Sequence, residues 1–188
     1  IWSKLIGTSL DERSNAIAIS GDGSIYVGGY TYGNLDGVNN NGNMDAFFSK
    51  YDSNGNLIWT RLFGNSSDSR LYSIDTSSDG SVYITGKISG DINGQTNNGS
   101  DDIFLAKYDS NGNIQWTNLI GTGASEQGRD VVIGNDESIY VTGFTGGNLN
   151  GENNSGSGGY DVFVTKYDSN GVEEWTKLLG ESWTYISN

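Results

Sequence analysis

Residues 102–116 read DIFLAKYDSNGNIQW, and this stretch indicates how the chain folds. It begins with an extended segment that is apolar on both faces, passes through the turn sequence DSNG, and ends at a tryptophan. An Asn-Gly step between two hydrophobic runs is a strong signal for a β-hairpin. We therefore predict two antiparallel strands here, joined at residues 109–112.

The same motif recurs along the whole chain. Trp59 and Trp116 are 57 residues apart, Trp2 lies 57 residues before the first of them, and Trp175 lies 59 residues after the second. A fixed period of several tens of residues is the signature of a repeat architecture. The spacing predicts three full repeat units and a partial fourth, with boundaries at residues 1–57, 58–114, 115–173 and 174–188.

The second unit shows the four short strands that we expect in every unit. A Trp strand (WTRLFG) is followed by LYSID, by the alternating strand SVYITG and by IFLAKYD. In IFLAKYD, Phe104 lies on one face and Ile103 and Leu105 on the other, so both faces need cover. We therefore predict an all-β fold of four-stranded antiparallel blades, packed face to face as in a β-propeller. A β-solenoid is the alternative, but its coils are usually far shorter than this repeat.

The composition excludes several classes of function. The formal net charge is −13, with 10 basic residues scattered singly, whereas phosphate binding needs clustered Lys and Arg. We therefore expect no nucleic-acid partner, and no membrane insertion because no apolar run approaches the roughly 20 residues of a span. The chain has no His and no Cys, so the common nucleophile–base pairs are unavailable. We predict that it is not an enzyme.

The best candidate for a site is an Asx-rich loop that precedes each DSNG hairpin. Its first copy reads GNLDGVNNNGNMD at residues 33–45, and the copies at 90–102 and 147–161 keep the skeleton G-[ND]-[LI]-[DN]-G and a closing Asp. Ca²⁺ prefers about six to eight oxygen ligands, which alternate Asx residues on a turning loop can supply. The alternative is that these side chains close their own turns. The candidate Ca²⁺ ligands are Asn34, Asp36 and Asp45; Asp91, Asn93 and Asp102; and Asn148, Asn150 and Asp161.

Taken together, the motifs resemble a known family of repeats. The pattern W-[TS]-x-x-[LIF]-G, then [SN]-[IV]-Y-[VI]-x-G, then D-x-F-x-x-K-Y-D-x-x-G-x-x-x-W is similar to the bacterial β-propeller repeat called SBBP. In the second unit it runs from Trp59 through Tyr83 and Asp102 to Trp116. The resemblance implies a propeller in extracellular or cell-surface bacterial proteins, usually with many repeats, and it implies no enzyme activity. The third unit departs from the pattern by a two-residue insertion within residues 151–160.

These observations favour a non-catalytic extracellular or cell-surface module with a structural and interaction role. Its partners would be proteins, either further copies of the chain or neighbouring domains, and calcium would stabilise its loops. The alternative is a lectin-like propeller that binds glycans at one site per blade. Propellers have about four to eight blades, so three units and a part do not close a ring alone. We expect the chain to be part of a longer protein, to be completed by further copies, or to form an open array.

Overall fold

The computed structural model describes residues 2–155 and 159–180, and there the chain forms twelve β-strands in three sheets. Each sheet holds four antiparallel strands in chain order. The described residues contain no helix, and hence none that is long and apolar enough to cross a membrane. The predicted all-β fold of four-stranded, propeller-like blades is thereby confirmed.

The strands are numbered in chain order. The first sheet contains β1 (Glu12–Ile19), β2 (Ile25–Thr31), β3 (Asp45–Tyr51) and β4 (Leu57–Phe63). The second sheet contains β5 (Ser69–Thr76), β6 (Val82–Ile88), β7 (Asp102–Tyr108) and β8 (Ile114–Ile120). The third sheet contains β9 (Glu126–Ile133), β10 (Ile139–Thr145), β11 (Asp161–Tyr167) and β12 (Glu173–Leu179).

The DSNG turns close the last hairpin of each sheet. In the first turn, the Asp52 carboxylate accepts the backbone N–H groups of Asn54 and Asn56 at 2.9 and 2.8 Å. Gly55 follows with a φ of 81°, a left-handed conformation that glycine adopts without steric cost. The turn therefore sends β4 back along β3, and the hairpin predicted at residues 109–112 forms in the same way between β7 and β8.

Each Trp strand completes the sheet that precedes it in the chain. Trp59 lies on β4, directly opposite Lys50 of β3. Trp116 on β8 and Trp175 on β12 take the same place in the second and third sheets. The predicted sequence units are residues 1–57, 58–114, 115–173 and 174–188, and each begins with its Trp strand. Each sheet therefore begins one strand later than the corresponding sequence unit. Of the partial fourth unit, residues 181–188 lie outside the described residues.

The core lies between the sheets. Phe47 and Phe48 of β3 point to opposite faces of their sheet and are 2% and 0% exposed, so this strand is covered on both faces as predicted. The first strand of each following sheet supplies much of that cover, because β5 packs across β1, β2 and β3, and β9 packs across β5, β6 and β7. Ile74 of β5 accordingly joins the cluster that contains Phe48.

Candidate functional site

The Asx-rich loops are compact hairpins that follow β2, β6 and β10. In the first loop, Leu35 and Val38 exchange backbone hydrogen bonds of 3.0 and 2.9 Å across Asp36 and Gly37. The two intervening residues have φ angles of 50° and 81°, as a two-residue turn of type I′ requires. The other two loops have the same left-handed pair, Asn93-Gly94 and Asn150-Gly151.

The apolar residue of each loop belongs to the core. Leu35 is 0% exposed, Leu149 is 1% exposed and Ile92 is 8% exposed. Ile92 packs in the cluster between the first and second sheets, and Leu149 packs in the cluster between the second and third. Sequence reasoning missed this role because it treated the loop as a polar stretch. The signal was the Leu or Ile that stands third in every copy.

The first candidate Ca²⁺ ligand of each loop accepts a backbone hydrogen bond from a residue six positions later. In the first loop, the side-chain oxygen of Asn34 accepts the N–H of Asn40 at 3.0 Å. This bond holds the two arms of the loop together. It recurs in the other loops between Asp91 and Asn97 and between Asn148 and Asn154.

The second candidate ligand ties the loop to the Trp strand. The Asp36 carboxylate accepts the hydroxyl hydrogen of Thr60 on β4 at 2.6 Å. In the second loop, the side-chain amide of Asn93 donates to the Thr117 hydroxyl on β8 at 3.0 Å. The left-handed turn therefore aims this side chain back at the outer strand of its own sheet. The third loop repeats the contact between Asn150 and Thr176 at 2.9 Å.

The third candidate ligand is buried at the start of β3, β7 or β11. Asp45 and Asp102 are both 0% exposed, and each carboxylate accepts one backbone N–H from its own loop, at 2.8 and 2.9 Å. Burial raises the pKa of both carboxyl groups above the usual value. Asp161 accepts a loop N–H at 2.7 Å in the third sheet. These carboxylates hold each loop against the beginning of the strand that follows it.

The nine candidate ligands therefore have three distinct hydrogen-bonding roles. Within residues 2–155 and 159–180, no group of three or more acidic side chains is placed so as to hold a metal ion. A Ca²⁺ ion in these loops would need amide and backbone carbonyl oxygens beside the carboxylates. Calcium binding stays a prediction of the sequence.

The first sheet exposes apolar side chains on its outward face. Ile17 and Ile19 of β1 are 69% and 68% exposed, and we name these two residues the N-terminal end face. Ile17 is paired with a residue in the middle of β2. Ile74 and Val131 hold the equivalent positions in the second and third sheets. Those two residues are only 5% and 2% exposed, because a preceding sheet covers them.

The third sheet exposes apolar side chains at the opposite end of the stack. Val162 of β11 is 47% exposed, whereas Ala46 and Ile103, which hold the same place in β3 and β7, are 0% exposed. The difference arises because no described sheet follows the third one. We name the exposed set the C-terminal end face; it consists of Val132, Val162, Trp175 and Leu179, which are 40–62% exposed.

Each Trp strand inside the stack also contacts the turn of the following sheet. A Cβ on Gly112 would lie 3.1 Å from the Trp59 indole, and the Arg61 guanidinium donates to the Gly112 carbonyl at 2.8 Å. At the next interface, the Trp116 indole lies against Gly171 at the same distance. The periodic indoles therefore hold neighbouring sheets together.

Residues 2–7 take the place of such a Trp strand although they form no strand themselves, and we name them the leading segment. A Cβ on Gly55 would lie 2.7 Å from the Trp2 indole, which matches the Trp contacts at the internal interfaces. The indole N–H also donates to the carbonyl of Ser53 at 3.4 Å. Trp2 nevertheless remains 49% exposed, because none of the described sheets lies behind it.

The stacked four-stranded sheets and the repeated motifs are consistent with the blades of a β-propeller. A family model described as SBBP, beta-propeller repeat, matches residues 1–36 and confirms the resemblance found in the sequence. The matched part contains the leading segment, β1, β2 and the beginning of the first Asx-rich loop.

Two curated proteins are similar to the chain. The regulatory protein FlaEY of Caulobacter vibrioides is 36% identical over 117 residues, which cover 56% of this chain and 12% of that protein. The uncharacterized WD repeat-containing protein L264 of Acanthamoeba polyphaga mimivirus is 25% identical over 169 residues, which cover 76% of this chain and 12% of that protein. The chain thus spans a small part of both relatives. The family match and these relatives support a repeat-based interaction module.

Proposed function

We propose that the chain is a non-catalytic module of β-propeller repeats that binds other proteins at the cell surface or outside the cell. The observation that carries the proposal is the exposure of Ile17 and Val162 on the apolar end faces, whereas the residues that hold their places at the described internal interfaces are only 0–5% exposed. Contiguous exposed apolar side chains mark protein interaction sites. The partners are neighbouring domains or further copies of the chain.

The placement of the acidic side chains supports a binding role over catalysis. Glu126 is 0% exposed, and its carboxylate accepts the backbone N–H and hydroxyl of Thr122 and the hydroxyl of Thr145 at 2.7–3.0 Å. Glu12 makes the equivalent set of bonds in the first sheet. An acid that repeats with the same partners has a structural role, whereas an active site is normally unique.

The extracellular location and the calcium sites are finer parts of the proposal. The SBBP resemblance supports the location, and the net charge of −13 suits a module that meets divalent cations. The Asx-rich loops would bind Ca²⁺ weakly, with Kd about 10⁻⁴–10⁻³ M as in extracellular modules. Binding at that strength would stabilise the folded loops.

A lectin-like function is the second candidate, and the exposed indoles favour it. Trp2 and Trp175 are 49% and 40% exposed, and an exposed indole can stack on a sugar ring. Trp59 and Trp116, in contrast, pack between sheets. Among the residues that the structure describes, the most exposed indoles therefore lie at the two ends of the stack. A lectin that used these indoles would bind sugars at the ends and not at one site per blade.

Photo-crosslinking in the cells that make the protein tests the proposed function. A benzophenone side chain at Val162, on the C-terminal end face, is expected to form covalent adducts with protein. The same group at Ile114, which is 43% exposed on the second sheet and lies outside both end faces, is expected to form few. Equal labelling at the two positions, or glycan-array binding by a chain that forms no protein adduct, would contradict the proposal.

A further inference from the structure

We infer that a polar cleft between the second and third sheets binds an uncharged sugar residue. This inference goes beyond the proposed protein-binding function, because it concerns a different place on the molecule and a different class of ligand. The cleft lies at an internal interface, and its lining includes no residue of either end face.

The cleft has a volume of about 350 Å³ and lies between the outer strands of the second sheet and the DSNG turn of the third. Lys107 of β7 and Trp116 of β8 form one wall, and Ser169 and Asn170 of the turn form the other. The lining also contains Asp79 and Asp109. We name this space the inter-sheet cleft. Its volume falls within the range of about 300–1,000 Å³ that is usual for small-ligand sites.

Three side chains at the inter-sheet cleft carry hydrogen-bond donors without partners. Tyr83, Lys107 and Trp116 lie in one row across β6, β7 and β8. Tyr83 is 0% exposed, and its hydroxyl is bonded to none of the described residues. The Lys107 ammonium and the Trp116 ring lie 5.3 and 6.2 Å from the centre of the Tyr83 ring, and neither side chain donates a hydrogen bond within residues 2–155 and 159–180. Because buried donors are normally paired, this row indicates a place for a ligand that carries acceptors.

The equivalent place at the first interface is closed by the protein itself. Lys50 holds in β3 the position that Lys107 holds in β7. The Lys50 ammonium donates to the carbonyl of Ser110 at 3.1 Å, and the residue is only 7% exposed. Ser169 holds the place of Ser110 in the next turn, but Lys107 makes no such bond to it. The second interface therefore keeps available a donor that the first interface uses to close itself.

The neighbouring side chains differ in the same direction. In the third sheet, Lys166 holds the position of Lys107 and forms a salt bridge of 2.7 Å with Glu174. The Arg61 guanidinium lies 5.0 Å from the centre of the Trp59 ring in the first sheet. In the second sheet an asparagine at position 118 holds the place of that arginine, and its side chain carries no charge. The lysine and the indole of the second sheet are therefore both without a charged partner in direct contact.

The charges of the inter-sheet cleft favour an uncharged ligand. Hydrogen bonds, first that of the Ser77 hydroxyl, lower the pKa of Asp79 below its usual value. Hydrogen bonds from Asn113 lower the pKa of Asp109 in the same way, so both carboxyl groups are ionised at neutral pH. An anion would face these two carboxylates. A cation carries no acceptor, and it would leave the Lys107 ammonium without one.

A pyranose sugar has the chemistry that this lining requires. Its hydroxyl groups both donate and accept, so they can accept from Lys107 and Trp116 and donate to the carboxylates of Asp79 and Asp109. Its C–H face is apolar and can pack on the partly exposed indole. Small-ligand sites usually combine an aromatic wall with a few placed polar groups in this way.

Saturation-transfer NMR on the full chain tests the inference, with glucose, galactose, mannose and N-acetylglucosamine as the probes. The wild-type chain is expected to transfer saturation to at least one of the four sugars. Lys107→Met keeps the aliphatic stem but removes the ammonium, and it is expected to reduce that signal several-fold. Lys50→Met is the matched control at the first interface and is expected to leave the signal unchanged, because the Lys50 ammonium is already bonded to Ser110.

A second pair of variants tests the same site from the opposite wall. Ser169→Trp places a large side chain in the inter-sheet cleft from an exposed turn position, so it is expected to abolish the signal while circular dichroism stays unchanged. Ser110→Trp, at the exposed equivalent position of the preceding turn, is expected to retain the signal. This pair also decides the question if Lys107→Met does not fold.

Two results would overturn the inference: no transfer to any of the four sugars by the folded wild-type chain, or transfer that survives Ser169→Trp. The second result would place sugar binding elsewhere, for example at the exposed indoles of Trp2 and Trp175. Protein adducts at Val162 without a sugar signal would refute the sugar site and leave the proposed function standing. A sugar signal that depends on Lys107, in a chain that forms no protein adduct, would refute the proposed function instead.

Discussion

The indole of Trp116 lies against Gly171, the glycine that ends the DSNG turn of the following sheet. A Cβ on Gly171 would come within 3.1 Å of three indole atoms, and the residue has a φ of 80°. Trp116 belongs to β8 and Gly171 precedes β12, so the contact joins the second and third sheets. Gly171 therefore provides the left-handed position of its own hairpin turn and also packs at the interface between the second and third sheets.

Replacement of Gly171 by alanine is expected to destabilise the fold for two reasons. The left-handed backbone costs a residue with a Cβ about 1–2 kcal/mol, and the methyl group would also press on the indole. Gly151→Ala is the matched control, because Gly151 has a φ of 83° but no atom within 4 Å of the added Cβ. Urea unfolding should show a larger loss for Gly171→Ala. Equal losses in the two variants would mean that the indole contact contributes nothing.

The apolar residue of the Asx-rich loop is expected to behave as a core residue. Leu149 is 1% exposed, so Leu149→Ala should lower the free energy of unfolding by about 2–5 kcal/mol. Leu10 is 57% exposed, and Leu10→Ala should change it by no more than about 0.5 kcal/mol. Thermal unfolding of both variants gives the comparison. A small effect of Leu149→Ala would show that the loop is not part of the packed structure.

The strands and their two-sided burial could be predicted because local chemistry determines them. The Asn-Gly turn fixes the hairpin between β7 and β8, and an apolar residue on each face of a strand requires cover on each side. Phe47 and Phe48 show that cover directly, at 2% and 0% exposure. The period of the indoles likewise follows from the stacking of one sheet on the next.

The start of each sheet within the repeat could not be predicted from the period. A repeat has the same length wherever its boundary is drawn, whereas strand pairing requires a particular boundary. The hairpin turn pairs β4 with β3, so the first sheet ends with β4. The chain passes from the first sheet to the second within residues 64–68. The Trp strand is the first strand of the sequence motif but the last strand of its sheet.

The roles of the Asx residues could be predicted only in part. Both a calcium loop and a self-closing turn need oxygen atoms and left-handed backbone, so composition does not separate them. Asp36 shows why geometry is needed, since its carboxylate reaches Thr60 on a strand that is 24 residues further along the chain. Such a contact has no local sequence signal.

Calcium should stabilise the chain if the loops bind it. At about 10 mM Ca²⁺, roughly ten times a Kd of 10⁻³ M, each site would add about 1.4 kcal/mol to the free energy of unfolding. Thermal unfolding in calcium, in magnesium and in chelator measures the effect. Asp36→Ala should reduce the shift, and Asp11→Ala, outside the loops, should not. An identical melting temperature in calcium and in chelator would exclude these sites.

The first β-turn gives a prediction about pH. Hydrogen bonds to the Asp22 carboxylate, first from the Ser20 hydroxyl and then from the backbone N–H of Ser24, lower its pKa to about 2 from the ordinary value of 3.8. A lowered pKa in the folded state contributes stability above about pH 4, and this contribution is lost as the pH falls toward about 2. Asp22→Asn should therefore be less stable than wild type at pH 7 and nearly equal at pH 2.

Chemical denaturation across that pH range checks the Asp22 effect. The carboxylate is largely exposed, so solvent screening keeps the expected difference small. Asp11→Asn serves as the substitution control on an exposed residue. A gap between wild type and Asp22→Asn that stays constant from pH 7 to pH 2 would contradict the assignment.

The one-strand shift between period and sheet determines where such a protein can be divided or extended. A splice before Trp59 cuts through β4, the outer strand of the first sheet, and leaves most of β3 without its partner on that edge. A splice within residues 64–68 falls between whole sheets and separates the chain without unpairing any strand. Exchange of whole sheets between arrays of this kind would therefore be expected at the link formed by residues 64–68. Trp59, which begins the sequence motif, would then stay with the sheet that precedes this link.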